Sequence, residues 1–366
     1  MRKYVKFIAL VLLAAALLLW FGKGLDWAEV FAAVKRADWR LILAAVAVIC
    51  TTYLTRAFRW RALLAPLTPS GLRELFAATT VGFSAVLLIG RAGEVVRPAF
   101  LPLRDPRVRP GASFITIMVE RIYDMATVVV LFAVNLLWFQ APRGEAAEYA
   151  RMRMAGLALL LVAIGGIGAL IWYRRVSRPV IRFVEERLGR WRFVPNRLRN
   201  IVTGLLEQLA RALSVLVNAR ELVVTVGWTV VLWGSVAVAD WLVFRAFGLP
   251  FGLVETIFVM SWSLVGSMVP TPGGAAGAFH MVTAYGLIFL GVAQKQAAAA
   301  SIVLHLVVFG PALLFGLYYF LRSDVSLARL RQLAAAGERE SATPMDEATA
   351  ASAVGESPNQ ARAVEV

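Results

Sequence analysis

The stretch at residues 74–103, ELFAATTVGFSAVLLIGRAGEVVRPAFLPL, decides how this chain is laid out. Its first part, 74–90, is apolar and nearly long enough for a helix to cross ~30 Å of hydrocarbon. It breaks at Gly90-Arg91-Ala92-Gly93, where two glycines permit a tight turn. It then returns through Val95–Leu103 toward Arg104, Arg107 and Arg109. If 74–90 crossed fully, those arginines would lie outside the cell. Basic loops stay on the cytoplasmic side. The segment is therefore read as a re-entrant hairpin that enters from the cytoplasm, which requires protein or a water-filled cavity around its non-helical turn.

Working outward, the whole chain is of the same kind. Hydrophobic residues make up 60% of the 366 and charged residues 17%, too apolar for a soluble protein of this size. Apolar segments fall at 4–21, 39–56, 74–90, 114–139, 154–173, 221–247, 253–269, 275–291 and 298–321. The first follows Arg2, Lys3 and Lys6, but Trp20-Phe21-Gly22-Lys23 offers no small-residue cleavage site, so it is read as a retained span. Cys50 is the single cysteine, which excludes an intrachain disulfide and a cysteine metal cluster. Two histidines are too few for a histidine-rich metal site. No cofactor is expected. The net charge of +15 fits cytoplasmic loops facing anionic lipid rather than a nucleic-acid partner.

Loop charge sets the topology. The basic N-terminus is inside, the mixed segment 22–38 outside, and Arg56, Arg59, Arg61 and Arg73 mark a return inside. The arginine-rich loop 174–220 is inside. Segments 253–269 and 275–291, separated by Pro270-Thr271-Pro272-Gly273-Gly274, then form a second hairpin entering from outside. The expected fold is an all-α integral membrane protein with about six full transmembrane helices plus two opposed re-entrant helical hairpins. Residues 1–325 form the membrane domain, in halves of about 1–140 and 150–325, and 326–366 form a mostly disordered cytoplasmic tail. Span, hairpin and span recur with matching spacing and opposite direction in the two halves. Such inverted, broken segments point to a transporter-type site near the bilayer midplane.

Three clusters are candidates for that site. Around the first turn, Arg91 and Arg97 are forked donors for a phosphate, and Glu94 can pair with either. An ordinary cytoplasmic loop is the plainer alternative. In span 114–139, Glu120, Arg121 and Asp124 are costly in lipid unless paired or wetted. Glu120 and Asp124 share a face at i and i+4, Arg121 is expected to pair with one of them or with Glu94, and snorkelling from near the interface is the alternative. At the second turn, Gly273, Gly274 and Gly277 open a half-helix whose free amides can face an anion. His280 follows, titratable near neutrality or simply structural. His305 reads as packing or a helix–helix hydrogen bond, Arg245 as snorkelling outward, and Asp240 as a deeper carboxylate. Residues 179–216 read as a basic amphipathic helix pair or a solvated connector.

Gly90-Arg91-Ala92-Gly93-Glu94 with Arg97, Glu120-Arg121 with Asp124, and Pro270-Thr271-Pro272-Gly273-Gly274-Ala275-Ala276-Gly277 together resemble the membrane domain of lysylphosphatidylglycerol synthases, the flippase-like domain family. The resemblance covers about residues 4–325. It implies translocation of aminoacylated or glycosylated lipids. Full-length synthases add a cytoplasmic domain that charges phosphatidylglycerol from aminoacyl-tRNA, for which this chain has no room, so a stand-alone membrane unit is expected. Where relatives commonly carry glutamate after the Pro-Gly-Gly-x-x-Gly turn, this chain has His280.

The expected function is movement of a phospholipid or lipid-linked headgroup across the cytoplasmic membrane, with both termini cytoplasmic and membrane lipids as partners. No nucleotide-binding loop, nucleophile elbow or metal-spaced histidine pair occurs, so an enzyme is disfavoured. Two alternatives stay open: a lipid-modifying enzyme using Glu120 or His280 as acid or base, and a membrane subunit serving a separate glycosyl- or aminoacyl-transferase.

Overall fold

The computed structural model describes residues 27–65, 67–140, 146–190, 203–204, 206–207, 210, 219–269, 273 and 275–323. The expected first span at 4–21, the tail from 326, Pro270, Thr271, Pro272, Gly274 and most of 191–218 lie outside them.

Every regular element among the described residues is helical. Ten α-helices follow in order: α1 (Trp27–Arg36), α2 (Trp39–Leu64), α3 (Leu72–Ile89), α4 (Val96–Arg104), α5 (Pro110–Trp138), α6 (Ala146–Arg190), α7 (Ala219–Ala246), α8 (Leu253–Ser267), α9 (Ala276–Phe289) and α10 (Gln294–Leu321). A 3-10 turn, Gly90–Val95, joins α3 to α4. Four helical stretches are long and apolar enough to cross a membrane: Trp39–Leu64, Leu72–Ile89, Leu222–Ala246 and Gln294–Leu321.

Local chemistry sets several boundaries. Asp38 caps α2, its Oδ1 accepting the Arg40 N–H at 2.9 Å. Pro110 occupies the first turn of α5, where its missing N–H costs nothing. Pro179 lies inside α6 and removes a hydrogen bond there, and the backbone breaks helical geometry close by at Val176. Two helices outrun their expected spans: α6 covers Ala146–Arg190 rather than 154–173, so the expected loop from 174 begins as helix, and the other is α2. It does not stop at 56 but runs to Leu64, because no glycine or proline intervenes before Pro66. Arg56, Arg59 and Arg61 are therefore helical residues, not loop charges.

Helix directions follow from the contacts. α2 and α7 are antiparallel: the Asp38 N–H donates to the Ala246 carbonyl at one end, and Phe58 stacks on Trp228 toward the other. α3 and α4 form an antiparallel hairpin, since Arg104 at the end of α4 binds Glu74 at the start of α3 at 2.6 Å. Higher up, Gly82 lies against Arg97, and Gly93 against the backbone of Ala85 and Val86. A Cβ at either glycine would overlap the opposite limb. α8 and α9 form a second hairpin: Phe258 lies beside Phe289, the Thr283 hydroxyl donates to Ser263 Oγ at 2.9 Å, and Gly266 packs on Ala278.

The two hairpins open toward opposite ends of the bundle. The base of the first adjoins the end of α2, and the base of the second adjoins the end of α7 and the start of α10, where Gln296 donates to the Phe247 carbonyl. Their tips meet. The Gly273 N–H, at a positive φ of 78°, donates to the Leu87 carbonyl at 2.6 Å. α10 then runs back past the first hairpin, bonded from Ser84 Oγ to the Ala312 carbonyl, with Gly316 pressed on Thr80 and Ser84. Thus α2–hairpin–α5 and α7–hairpin–α10 repeat with inverted direction.

The core between them is apolar and rich in small residues, with Ala297, Ala298, Ala299 and Ala300 letting α10 approach its neighbours closely. Large apolar side chains such as Val223, Val230, Leu306 and Leu314 face outward. Such a surface is stable against lipid and unstable against water.

Candidate functional site

Close to the first hairpin, charged side chains meet inside the bundle. The Arg59 guanidinium donates to both Asp124 oxygens at 2.6 and 3.1 Å, and its Nη2 lies 2.9 Å from Glu120 Oε1. Arg97, on the first turn of α4, grips Glu120 through a second fork at 2.5 and 3.0 Å. Arg59 and Glu120 are completely buried, and Arg97 and Asp124 nearly so. Isolated charges at such depth are very costly, so their mutual pairing and the hydrogen bonds around them are the condition for their presence.

Those hydrogen bonds come from α7, and a tryptophan of α2 supports the network beside them. Trp233 Nε1 of α7 donates to Asp124 at 3.2 Å, and Arg59 Nη1 reaches Thr229 Oγ1, also on α7, at 3.3 Å. Trp60 donates to Thr116 at 3.0 Å, and its ring lies 4.4 Å beneath the Arg97 guanidinium. The network therefore ties the first hairpin and α5 to α2 and to α7 of the other half.

Several expectations change on this geometry. Arg97, expected to hold phosphate, spends its fork on Glu120. Glu94 is half-buried on the 3-10 turn. Glu120 and Asp124 do share a face, but Arg59 takes the place foreseen for Arg121, whose buried Nε makes no hydrogen bond. Arg91 sits on the 3-10 turn. Arg59, a loop charge by sequence, is instead a buried helical residue at the centre of the network. The available signal was the stripe Tyr53, Ala57, Trp60, Leu64, which continues with helical spacing straight through the arginines. Arg56, on a neighbouring face, lies 4.8 Å over the Phe83 ring.

The second hairpin carries a different pair. His280, near the start of α9, meets His305 of α10 with ring centroids 4.8 Å apart and nearly perpendicular planes. Phe279 packs edge-on to His305 at 5.1 Å. The placement parallels that of Arg97 and Glu120: early on the returning limb, facing the long helix that follows. One half thus holds an ion pair and the other an aromatic, titratable pair. Gly277 is buried beneath the second tip, and Ala275 adopts a left-handed φ of 61°.

Asp240 is buried in α7, with Oδ1 lacking a hydrogen-bond partner. Arg245 is exposed in the last turn of α7, 5.8 Å from the Trp241 ring, as a snorkelling residue would be. At the base of the first hairpin, Asp105 accepts hydrogen bonds from Arg107 and Ser70, and these push its carboxyl down to about 2. Among the described residues, no group of three or more metal-ligating side chains is brought together.

Residues 7–316 match the family model described as the lysylphosphatidylglycerol synthase TM region. A UPF0104 membrane protein of Pyrococcus horikoshii is 23% identical over 324 residues, covering 83% of this chain and 91% of that protein. The glycosyltransferase AglD of Haloferax volcanii is 24% identical over 350 residues, covering 87% of this chain. The chain spans only about half of AglD, 54% of its length.

Proposed function

The chain belongs to the lysylphosphatidylglycerol synthase TM region family of multi-pass membrane proteins, and from that premise we propose that it carries an anionic lipid headgroup across the cytoplasmic membrane. One observation carries the reading: the tips of two opposed hairpins meet, and the Gly273 N–H donates to the Leu87 carbonyl between them. Separating such tips toward one side or the other alternates access to the space between them.

In this reading six helices cross fully, counting the stretch at 4–21 with α2, α5, α6, α7 and α10, and both hairpins are re-entrant. The basic ends at Arg61, Arg73, Arg104, Arg107 and Arg322 face the cytoplasm, as do both termini. Arg91, Glu94 and Arg121 flank the headgroup from the first half, and Gly273, Gly274, Gly277 and His280 from the second. An arriving phosphate competes with Glu120 for Arg97. That exchange loosens the network of Arg97, Glu120 and Asp124, and so frees the first hairpin from α2 and α7.

The test uses reconstituted vesicles carrying fluorescent phosphatidylglycerol, with dithionite bleaching of the outer leaflet. Leu87→Cys/Gly273→Cys in a Cys50→Ser background links the tips on oxidation. Headgroup movement should stop on linking and return on reduction. Equal movement in the linked protein refutes the tips as the gate. Labelling of cysteines at 103–109 by an impermeant reagent from outside the cell would overturn the first re-entrant hairpin.

A second reading has specific support in the greater length of AglD, whose name is that of a glycosyltransferase. Here the chain is the membrane half of a two-part system and accepts a lipid-linked product from a separate transferase. Co-purification with such an enzyme, and loss of lipid movement without it, distinguishes the two.

A further inference from the structure

At the end of the bundle away from the ion network, α1, the end of α7 and the start of α10, with Asp38 between α1 and α2, line an open cavity of about 650 Å³. That volume is in the range of small-molecule sites. Three cations line it, Arg36, Arg245 and Lys295, with two carboxylates, Glu29 and Asp38. Both carboxylates are committed. Glu29 binds Lys295 at 2.6 Å, and Asp38 caps α2. Arg36 and Arg245 make no ion pair with a carboxylate among the described residues, though each is a forked donor on a different helix. The C-terminal helix dipoles of α1 and α7 favour a cation at each of these positions. They do not account for both guanidiniums lining one cavity, where an entering anion meets two forked donors.

The surroundings identify the kind of anion. Trp27 and Phe31, on the helix α1 that helps line the cavity, and Trp39, next to the lining residue Asp38, are exposed, as is Leu43 one turn into α2. Exposed aromatics on an amphipathic helix, next to the first apolar turn of a crossing helix, mark the depth of lipid headgroups. We propose that this cavity is a second site, in which Arg36 and Arg245 hold the phosphate of an anionic lipid at the membrane surface. It stands apart from the hairpin tips and does not depend on lipid being moved there.

The test places the full chain in phosphatidylcholine nanodiscs with increasing phosphatidylglycerol and counts retained phosphatidylglycerol by native mass spectrometry. Arg36→Gln/Arg245→Gln should weaken retention about tenfold, the loss of roughly one charge-assisted fork. Arg178→Gln/Arg182→Gln, which removes two exposed arginines from α6, should leave retention unchanged. All four positions are at the surface, so both variants fold, as size-exclusion profiles will verify. Unchanged retention in the first variant overturns the site, as does an equal loss in both. Millimolar inorganic phosphate should not displace the lipid. Saturation by inorganic phosphate without any response to phosphatidylglycerol would assign the cavity to a soluble anion and overturn the lipid reading.

Discussion

Replacing Arg59 with methionine removes the one guanidinium that Glu120 and Asp124 share. Glu120 keeps the Arg97 fork at 2.5 and 3.0 Å. Asp124 is left with only the Trp233 N–H at 3.2 Å, which cannot offset a buried negative charge. Breaking a buried pair on one side costs about 3–5 kcal/mol, mostly through the stranded partner. Removing both partners is far less costly, because no uncompensated charge remains. Arg59→Met/Asp124→Leu should therefore be more stable than Arg59→Met alone, since Glu120 and Arg97 then stand one to one. The coupling between the two sites should reach about 1–3 kcal/mol. Arg97→Met should cost less than Arg59→Met, about 1.5–3 kcal/mol, because Glu120 retains Arg59 at 2.9 Å. Reversible unfolding in mixed micelles, read by tryptophan fluorescence and circular dichroism, compares the unsubstituted protein with Arg59→Met, Asp124→Leu, Arg59→Met/Asp124→Leu and Arg97→Met. Strict additivity of the Arg59 and Asp124 changes, or a cost under about 0.5 kcal/mol for Arg59→Met, would refute the network as described.

Glycine positions give a paired prediction. Gly82→Ala puts a methyl into the Cβ of Arg97 and should cost about 1–3 kcal/mol while pulling Arg97 off Glu120. Gly165→Ala, with nothing within 4 Å, should be neutral or stabilising by up to about 1 kcal/mol in the same unfolding assay. Acid sensitivity should be visible at Asp105. Its carboxyl is depressed to about 2 in the fold, so its contribution is present above about pH 4, the unfolded value, and is lost as pH falls toward 2. Asp105→Asn should flatten that acid limb in a pH series of melting temperatures, while leaving Arg104–Glu74 intact. Trp60→Leu should cost about 2 kcal/mol beyond lost area, since it removes the ring under Arg97. Adding Arg97→Met should erase most of that excess.

The sequence by itself determined that this chain is an α-helical membrane protein, because the length and polarity of a segment decide whether backbone can be buried in lipid. It also determined where the chain turns back. Glycine-rich breaks at 90–93 and 273–274 and the arginines flanking the first are properties of local sequence, and matched spacing made the inverted repeat legible. Glu120 and Asp124 could be placed on one helical face by counting alone. Which cation meets them could not. Arg59 and Arg97 come from other helices, while Arg121, the nearest in sequence, makes no ion pair with either carboxylate among the described residues. Pairing of buried charges depends on which helices cross at which height, and that follows from packing across the whole bundle. The meeting of the two hairpin tips, the contact of His280 with His305 and the cavity between α1, α7 and α10 have the same origin. Each joins residues far apart in the chain, so only the tertiary structure decided them.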